Sequence, residues 1–476
     1  MKSQILLVDL PTYPKGTISL SLFVIAAALK QDYDPVYLDM NFNEDKKKLD
    51  GMDFSVFKFA GMKVSAQNYS AAIELTRRIK TKAPELKVVW GGELPTLLPE
   101  DCLRHADTIV SGLFEPVAPL FSIDLQRNNL QRQYIGRNEN AAGFLSPDFS
   151  ILPDTGRYNS FMGLPLETSR GCTEKCTFCM VLTMQPKQYH LKTMEQLKNE
   201  LPSYASRFIN IVDYNFGVSH EHVKNVARLI EESDALGWMA EMNIELLDDD
   251  SMLLAMKKSR CRMIYCGLES VDEEALDSVN KAVTNKVANY QRLIRKVQSY
   301  GINIAAGVIL GLDHADALSY RRTHDFYSRM GLIYAKLTFL TFNPGTRIKK
   351  YMQQHGTFVT ETIDLYDGNH VTYLPKDITE QELYEATGSF ITGFYSLTSI
   401  VKRAWKGPKG IFSKAGFILF NLCYRSAYQQ WLSNDIFRQP ENFNRLLVSG
   451  YSKTAGFHIA EKLLQVIRRY RKSNNN

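Results

Sequence analysis

Cysteine is scarce in this chain, with seven in 476 residues. That number excludes a disulfide framework and points to a reducing compartment, the cytoplasm. Histidine is also sparse, and none precedes His105. No apolar run is long enough to cross a bilayer. The opening Met1–Val8 is too short for a signal peptide and predicts a first strand. Internal repeats are absent, and the only low-complexity tract is Ser473–Asn476. Acids are rare at one end: from Val401 onward fourteen Lys/Arg face three acids, whereas the first 400 residues hold 43 basic and 48 acidic side chains. Hydrophobic content of 45% and charged content of 23% are those of a globular protein, and the length predicts two to four domains.

Three of the seven cysteines stand together in Arg170-Gly171-Cys172-Thr173-Glu174-Lys175-Cys176-Thr177-Phe178-Cys179. Cubane iron–sulfur clusters usually take four cysteine ligands. Three ligands leave one iron open, as catalytic zinc sites leave one position open. An open iron can bind a small molecule and pass it an electron. A zinc site is the rival reading, and it needs a fourth ligand. His190, eleven residues past Cys179, is the nearest candidate, and the spacing is not that of paired knuckles. Cys102, Cys261, Cys266 and Cys423 are scattered and read as structural.

The C-x3-C-x2-C motif resembles the signature of the radical S-adenosylmethionine (SAM) enzymes. The resemblance implies a [4Fe–4S] cluster on Cys172, Cys176 and Cys179. It implies that the open iron chelates SAM, whose reductive cleavage gives a 5′-deoxyadenosyl radical. Phe178 matches the aromatic residue that packs near the adenine.

In the first third, strands are expected at 4–10, 36–39, 56–62, 87–90 and 108–110, with helices at 19–30 and 71–82. Alternation of this kind predicts a doubly wound, Rossmann-like parallel sheet, with ligands beyond the strand carboxyl ends. Gly91-Gly92 follows one strand and suits either a turn or a close approach to a ligand. Together with Pro95-Thr96, Pro99-Glu100 and Asp107–Gly112, the pair resembles the cobalamin (B12)-binding domain found upstream of many radical SAM enzymes. That resemblance makes Gly91 and Gly92 cobalamin contacts. The chain departs from it twice: no Asp-x-His-x-x-Gly loop supplies an axial histidine, and the acidic Gly-Glu-Gly-Glu stretch of relatives appears as Gly112-Leu113-Phe114-Glu115.

From Leu164 the chain alternates again. Strands at 164–168, 208–213, 238–244, 262–268, 302–310 and 334–342 predict a partial parallel α/β barrel with its site at the strand carboxyl ends. The order of motifs resembles the radical SAM barrel. By that resemblance Asp213, Gly267, Glu269, Ser270, Ile309 and Gly311 contact SAM, Asn280-Lys281 follows at the usual interval, and Asn343–Thr346 closes the barrel. Taken singly, Glu269 also fits a helix N-terminal acid, Gly311 a turn, and Asn280-Lys281 a solvated helix end.

The expected fold is therefore α/β: residues 1–125 a cobalamin-binding-like domain, 126–160 a linker, 161–355 the barrel, and 356–476 a mostly helical basic and aromatic region. That last region fits a helical cap with an aromatic core, or a peripheral membrane contact through residues 401–476. His370 reads as structural, and the tail Arg468–Lys472 as disordered. The expected function is a radical SAM enzyme carrying out cobalamin-dependent methyl transfer. Alternatives are a cobalamin-independent cyclase or rearrangement enzyme, and a non-catalytic iron–sulfur carrier or sensor. Expected partners are a small-molecule or lipid substrate and a reductase, flavodoxin or ferredoxin as electron donor. No nucleic-acid module is present.

Overall fold

The structure, a computed structural model, describes residues 2–12, 17–137, 143–152, 158, 163–184, 189–343, 345–407 and 411–438. The tail beyond 438, including the basic stretch at 468–472, lies outside the described residues, as does much of 138–162.

The first sheet holds β1 (Ser3–Asp9), β2 (Tyr33–Asp39), β3 (Phe57–Lys63), β4 (Lys87–Gly91), β5 (Thr108–Gly112) and β6 (Gln133–Gly136) in the order 2-1-3-4-5-6. All neighbours are parallel. Alternation along β1 fixes the layers. Leu6 and Val8 join the core under helix Tyr69–Lys82, while Ile5 and Leu7 join the core under helices Leu20–Leu29 and Ala118–Gln126. A parallel sheet covered on both faces needs apolar residues at both parities. The winding reverses between β1 and β3, which opens a crevice at their carboxyl ends.

Two boundaries differ from expectation. β2 starts at Tyr33 and includes Pro35, because an edge strand tolerates a residue without an amide donor. β6 lies inside the stretch read as a linker. It is four residues long, too short for an alternating pattern to announce it.

The second sheet comprises β7 (Leu164–Leu166), β10 (Phe208–Ile211), β11 (Gly237–Glu241), β12 (Cys261–Glu269), β13 (Asn303–Leu310) and β14 (Tyr334–Phe339), all parallel and adjacent in chain order. Between β7 and β10 a short antiparallel hairpin, β8 (Ser169–Gly171) with β9 (Tyr189–Leu191), carries the cysteine loop. β7 and β14 do not pair, so the barrel is open on one side.

The C-terminal segment covers that opening. Tyr395 places its hydroxyl on the free edge of β14, donating to the Ala335 carbonyl (3.0 Å) and accepting from its amide (3.3 Å). Phe417 and Phe420 of helix Ile411–Ser433 pack on Ala305 and Ile333, and Tyr428 and Trp431 enter the main core. Arg403 is fully buried. It donates to the carbonyls of Leu332 (2.5 Å) and Phe394 (2.8 Å) and to Asn421 Oδ1 (2.8 Å). Most of the described aromatic side chains after 401 therefore belong to a lid on the barrel. Among the described residues no helix is long and apolar enough to cross a membrane.

Candidate active site

The cysteine loop is fastened at both ends. Asp213, at the carboxyl end of β10, accepts from the Thr168 amide (2.7 Å), the Thr168 hydroxyl (2.6 Å) and the Ser169 hydroxyl (2.6 Å). Burial pushes its carboxyl up to about 6, and those hydrogen bonds pull the other way. His222 Nε2 lies 3.0 Å from the same Thr168 hydroxyl. Further along, Thr177 bonds through its amide to Val279 (3.1 Å) and through its carbonyl to the Ile348 amide (3.2 Å), and Asn280 Nδ2 holds the Lys175 carbonyl (2.9 Å). Both oxygens of Asp213, expected at SAM, are engaged by Thr168, between β7 and β8, and by Ser169 at the start of β8.

The three thiols lie within electrostatic reach of one another, Cys176 and Cys172 both acting on Cys179. Burial raises all three, Cys179 to about 11. Binding iron would therefore displace protons from them. Cys176 is buried, while Cys172 and Cys179 are partly exposed. Among the described residues no three His, Cys, Asp or Glu side chains converge as ligands of a single ion. A cube asks each sulfur to hold a different iron, and the three thiols of this one loop supply three such donors. Phe178, partly buried, packs on the main core.

Across the barrel mouth the end of β12 behaves differently. Glu269 adopts φ +65°, a conformation that non-glycine residues rarely hold. Its carboxylate lies over two glycines: a Cβ at Gly267 would sit 2.4 Å from Oε1, and one at Gly307 would sit 2.7 Å from Oε2. Burial raises its pKa against Lys281 and Lys336, and no hydrogen bond offsets the burial. For Lys281, burial is outweighed by Cys176, Glu269, Glu174 and Glu241, so its ammonium is stabilised. Lys281 thus links the thiols to Glu269.

The remaining expected contacts are on the same rim. The Ser270 hydroxyl accepts from the Asp272 amide (3.0 Å). Ile309 is buried within β13, and the Gly311 amide donates to the Tyr320 hydroxyl (2.8 Å) at φ +82°. Of the barrel-closing segment, Pro344 lies outside the described residues, and the Thr346 hydroxyl donates to the Asn343 carbonyl (2.6 Å).

Two charged residues here were not anticipated. Glu241 ends β11 and Lys336 sits within β14, both exposed although their strands are central or covered. Glu241 is pushed up to about 7 by burial, against Lys336. A lone charge within an apolar strand was the available signal.

The two sheets present their carboxyl ends to one cavity of about 170 Å³. Ser65 and Glu93, beyond β3 and β4, line one side. Met180, Asn343 and Asp367 line the barrel side. Gly92 takes φ +109° and passes so close to Val64 that a Cβ would lie 2.9 Å from its carbonyl oxygen. Glycine is required there by the backbone itself. A Cβ on Gly91 would meet nothing closer than 3.9 Å, so that side of Gly91 leaves room. His370, buried, is held by Asp367 (Nδ1···Oδ1, 3.0 Å). Asp364 accepts from the Ser70 amide and hydroxyl (both 2.8 Å), at the N-terminus of helix Tyr69–Lys82, where a negative charge is favoured.

One bridge joins the halves beside the cysteines. Arg170 on β8 makes a bidentate pair with Glu167 (2.7 and 2.8 Å) and reaches Glu115, beyond β5, at 2.5 Å. The Arg170 and Glu115 side chains are 5% and 6% exposed. Glu115 is the one acid kept from the Gly-Glu-Gly-Glu stretch of relatives, whose middle positions are Leu113 and Phe114 here.

A B12-type doubly wound domain facing the mouth of an open six-stranded barrel with a three-cysteine loop defines a class of radical enzyme. Comparisons with known proteins agree. Residues 166–320 match the radical SAM superfamily model, and residues 10–120 match the B12-binding domain model. The chain is 24% identical to bacteriochlorophyllide d C-12(1)-methyltransferase of Chlorobaculum tepidum, over 83% of this chain and 86% of that one. Its fold is similar to the cobalamin-dependent SAM radical enzyme OxsB (TM-score 0.65, 14% identity, 100% of this chain, 81% of that one). It is equally similar to the radical SAM methyltransferase TsrM of Kitasatospora setae (TM-score 0.65, 14% identity, 90% of this chain, 100% of that one). The chain carries a radical SAM domain over residues 166–320 and an N-terminal B12-binding domain over residues 10–120.

Proposed function

We propose that the protein is a cobalamin-dependent radical SAM methyltransferase acting on an unactivated carbon or phosphorus centre. The single observation that supports this most is the shared cavity: Ser65 and Glu93, beyond β3 and β4, and Met180, next to Cys179, line the same space. Methylation by such chemistry needs both groups within reach of one substrate.

Cys172, Cys176 and Cys179 would hold the cluster, which supplies the electron that cleaves SAM. Glu269, fixed over Gly267 and Gly307, would accept hydrogen bonds from the ribose or ammonium of SAM. Gly91 and Gly92 would let cobalamin, the carrier of the methyl group, approach the backbone. Asp213 positions the loop, and Arg170 with Glu115 holds the two halves in register. The helical lid excludes water from the barrel, which protects reactive species. An electron donor, flavodoxin- or ferredoxin-like, completes the requirement. A carrier or sensor would have no use for a buried, strained Glu269 set with Lys281 beside the thiols.

Anaerobically reconstituted protein with SAM and a reductant tests this reading. The expected result is 5′-deoxyadenosine, together with a bound corrinoid seen by absorption. Absence of 5′-deoxyadenosine rejects the enzyme. 5′-Deoxyadenosine without any corrinoid binding leaves the cobalamin-independent radical reaction and rejects methyl transfer.

A further inference from the structure

The lid over the barrel has one outer face that nothing in the fold explains. Helix Leu397–Lys406 turns Ile400, Arg403 and Ala404 inward, none more than 2% exposed. Its opposite face presents Leu397 (57% exposed), Val401 (44%) and Trp405 (65%). Spacing of four aligns them in one stripe. Trp405 is unlike the other three tryptophans: Trp90, Trp238 and Trp431 are all buried.

The surroundings are one-signed. Lys402 and Lys406 flank the stripe and are exposed, and Lys414 sits 3.6 Å from the centre of the Trp405 ring. No acid occurs from Leu397 through Asn434. A groove beside the helix is lined by Arg329, Lys402 and Lys406, with Asp325 as its acid. The stripe lies on the outside of a helix, so it is convex and suits a flat or yielding surface.

We propose that this helix seats the protein on an anionic lipid surface. Leu397, Val401 and Trp405 enter the headgroup layer, and Lys402, Lys406 and Lys414 lie on lipid phosphates. An amphipathic helix with a basic flank and an aromatic residue on its apolar face binds such surfaces by combined burial and charge attraction. The aromatic residues at Phe417, Phe420, Tyr428 and Trp431 take no part, because they are inside the lid. The contact therefore narrows to helix Leu397–Lys406 and Lys414. It is independent of which molecule is methylated.

Full-length protein is mixed with vesicles of phosphatidylcholine, alone or with phosphatidylglycerol. The wild type is expected to sediment with the anionic vesicles, to shift its tryptophan emission to the blue, and to lose both effects at high salt. The variant L397S/V401S/W405S is expected to lower the vesicle-bound fraction about tenfold, and K402E/K406E to lower it on anionic vesicles. Unchanged SAM cleavage in both variants shows that the fold is intact. Wild type that stays in the supernatant, or a stripe variant that binds like wild type, overturns the proposal. So does a truncation after residue 438 that alone abolishes binding, since the contact then belongs to the tail. A wild-type dimer that ignores vesicles and that the stripe variant splits into monomers also overturns it, making the face a contact between two copies.

Discussion

Asp213 and Glu269 are both buried acids at strand ends of one barrel, and they do opposite work. Asp213 accepts three hydrogen bonds from the segment leading into the cysteine loop. Glu269 accepts none among the described residues, holds a strained backbone and lies over two glycines. The first is a fastening, and its energy is collected in the folded protein. The second carries a desolvation cost that folding does not recover, as expected of a group kept for a ligand. Both acids follow the apolar run of a strand. The partners decide the role.

That contrast can be broken or sharpened by substitution. The largest effect is expected at the loop itself: Cys172→Ala, Cys176→Ala or Cys179→Ala should reduce 5′-deoxyadenosine formation to background, read by chromatography of anaerobic assays. Arg170→Ala should follow. It strands Glu115 and Glu167 without their shared cation, and breaking a buried pair costs about 3–5 kcal/mol. Chemical denaturation checks this, and an unchanged midpoint would show that the bridge between the halves carries no weight.

Asp213→Ala is expected to cost about 3 kcal/mol of stability by leaving buried donors on Thr168 and Ser169 unpaired. Its remaining folded fraction should bind SAM almost normally. Glu269→Gln should do the reverse. A lost hydrogen bond to a charged group lowers kcat/KM for SAM about ten- to a hundredfold, while the denaturation midpoint stays level or rises. If Asp213→Ala impairs SAM binding and Glu269→Gln impairs only stability, the contrast is inverted.

The smallest effect concerns pH. Asp213 is raised to about 6 and Glu241 to about 7, both by burial. The folded protein therefore keeps protons that the unfolded chain has already released. Stability contributed by these groups is complete below their unfolded values and is lost as pH rises through about 4 to 7. Glu241→Gln should flatten that slope in denaturation midpoints measured across the window.

Much of this was legible in the residues. The cysteine spacing, the two runs of alternating strands and Gly92 all report local requirements: ligand number, period and backbone conformation. Six barrel strands lie where apolar runs end in polar residues. What could not be read depends on partners distant in sequence. Asp213 meets Thr168 and Ser169 across 45 and 44 residues, and Glu115 meets Arg170 across 55. β6 is too short to show a period, and β2 crosses a proline that only an edge position permits. The basic aromatic end offered a lid or a membrane contact. Helical spacing alone could not say that Phe417 and Trp431 face inward while Trp405 faces out.

The central claim is that three thiolates hold a cube whose fourth iron is free to bind SAM. Electron paramagnetic resonance of the reduced, reconstituted protein, recorded before and after adding SAM, addresses it most directly. The account predicts a [4Fe–4S] signal that changes on SAM addition and is lost in Cys176→Ala. A signal indifferent to SAM, or stoichiometric zinc in place of iron, would contradict it.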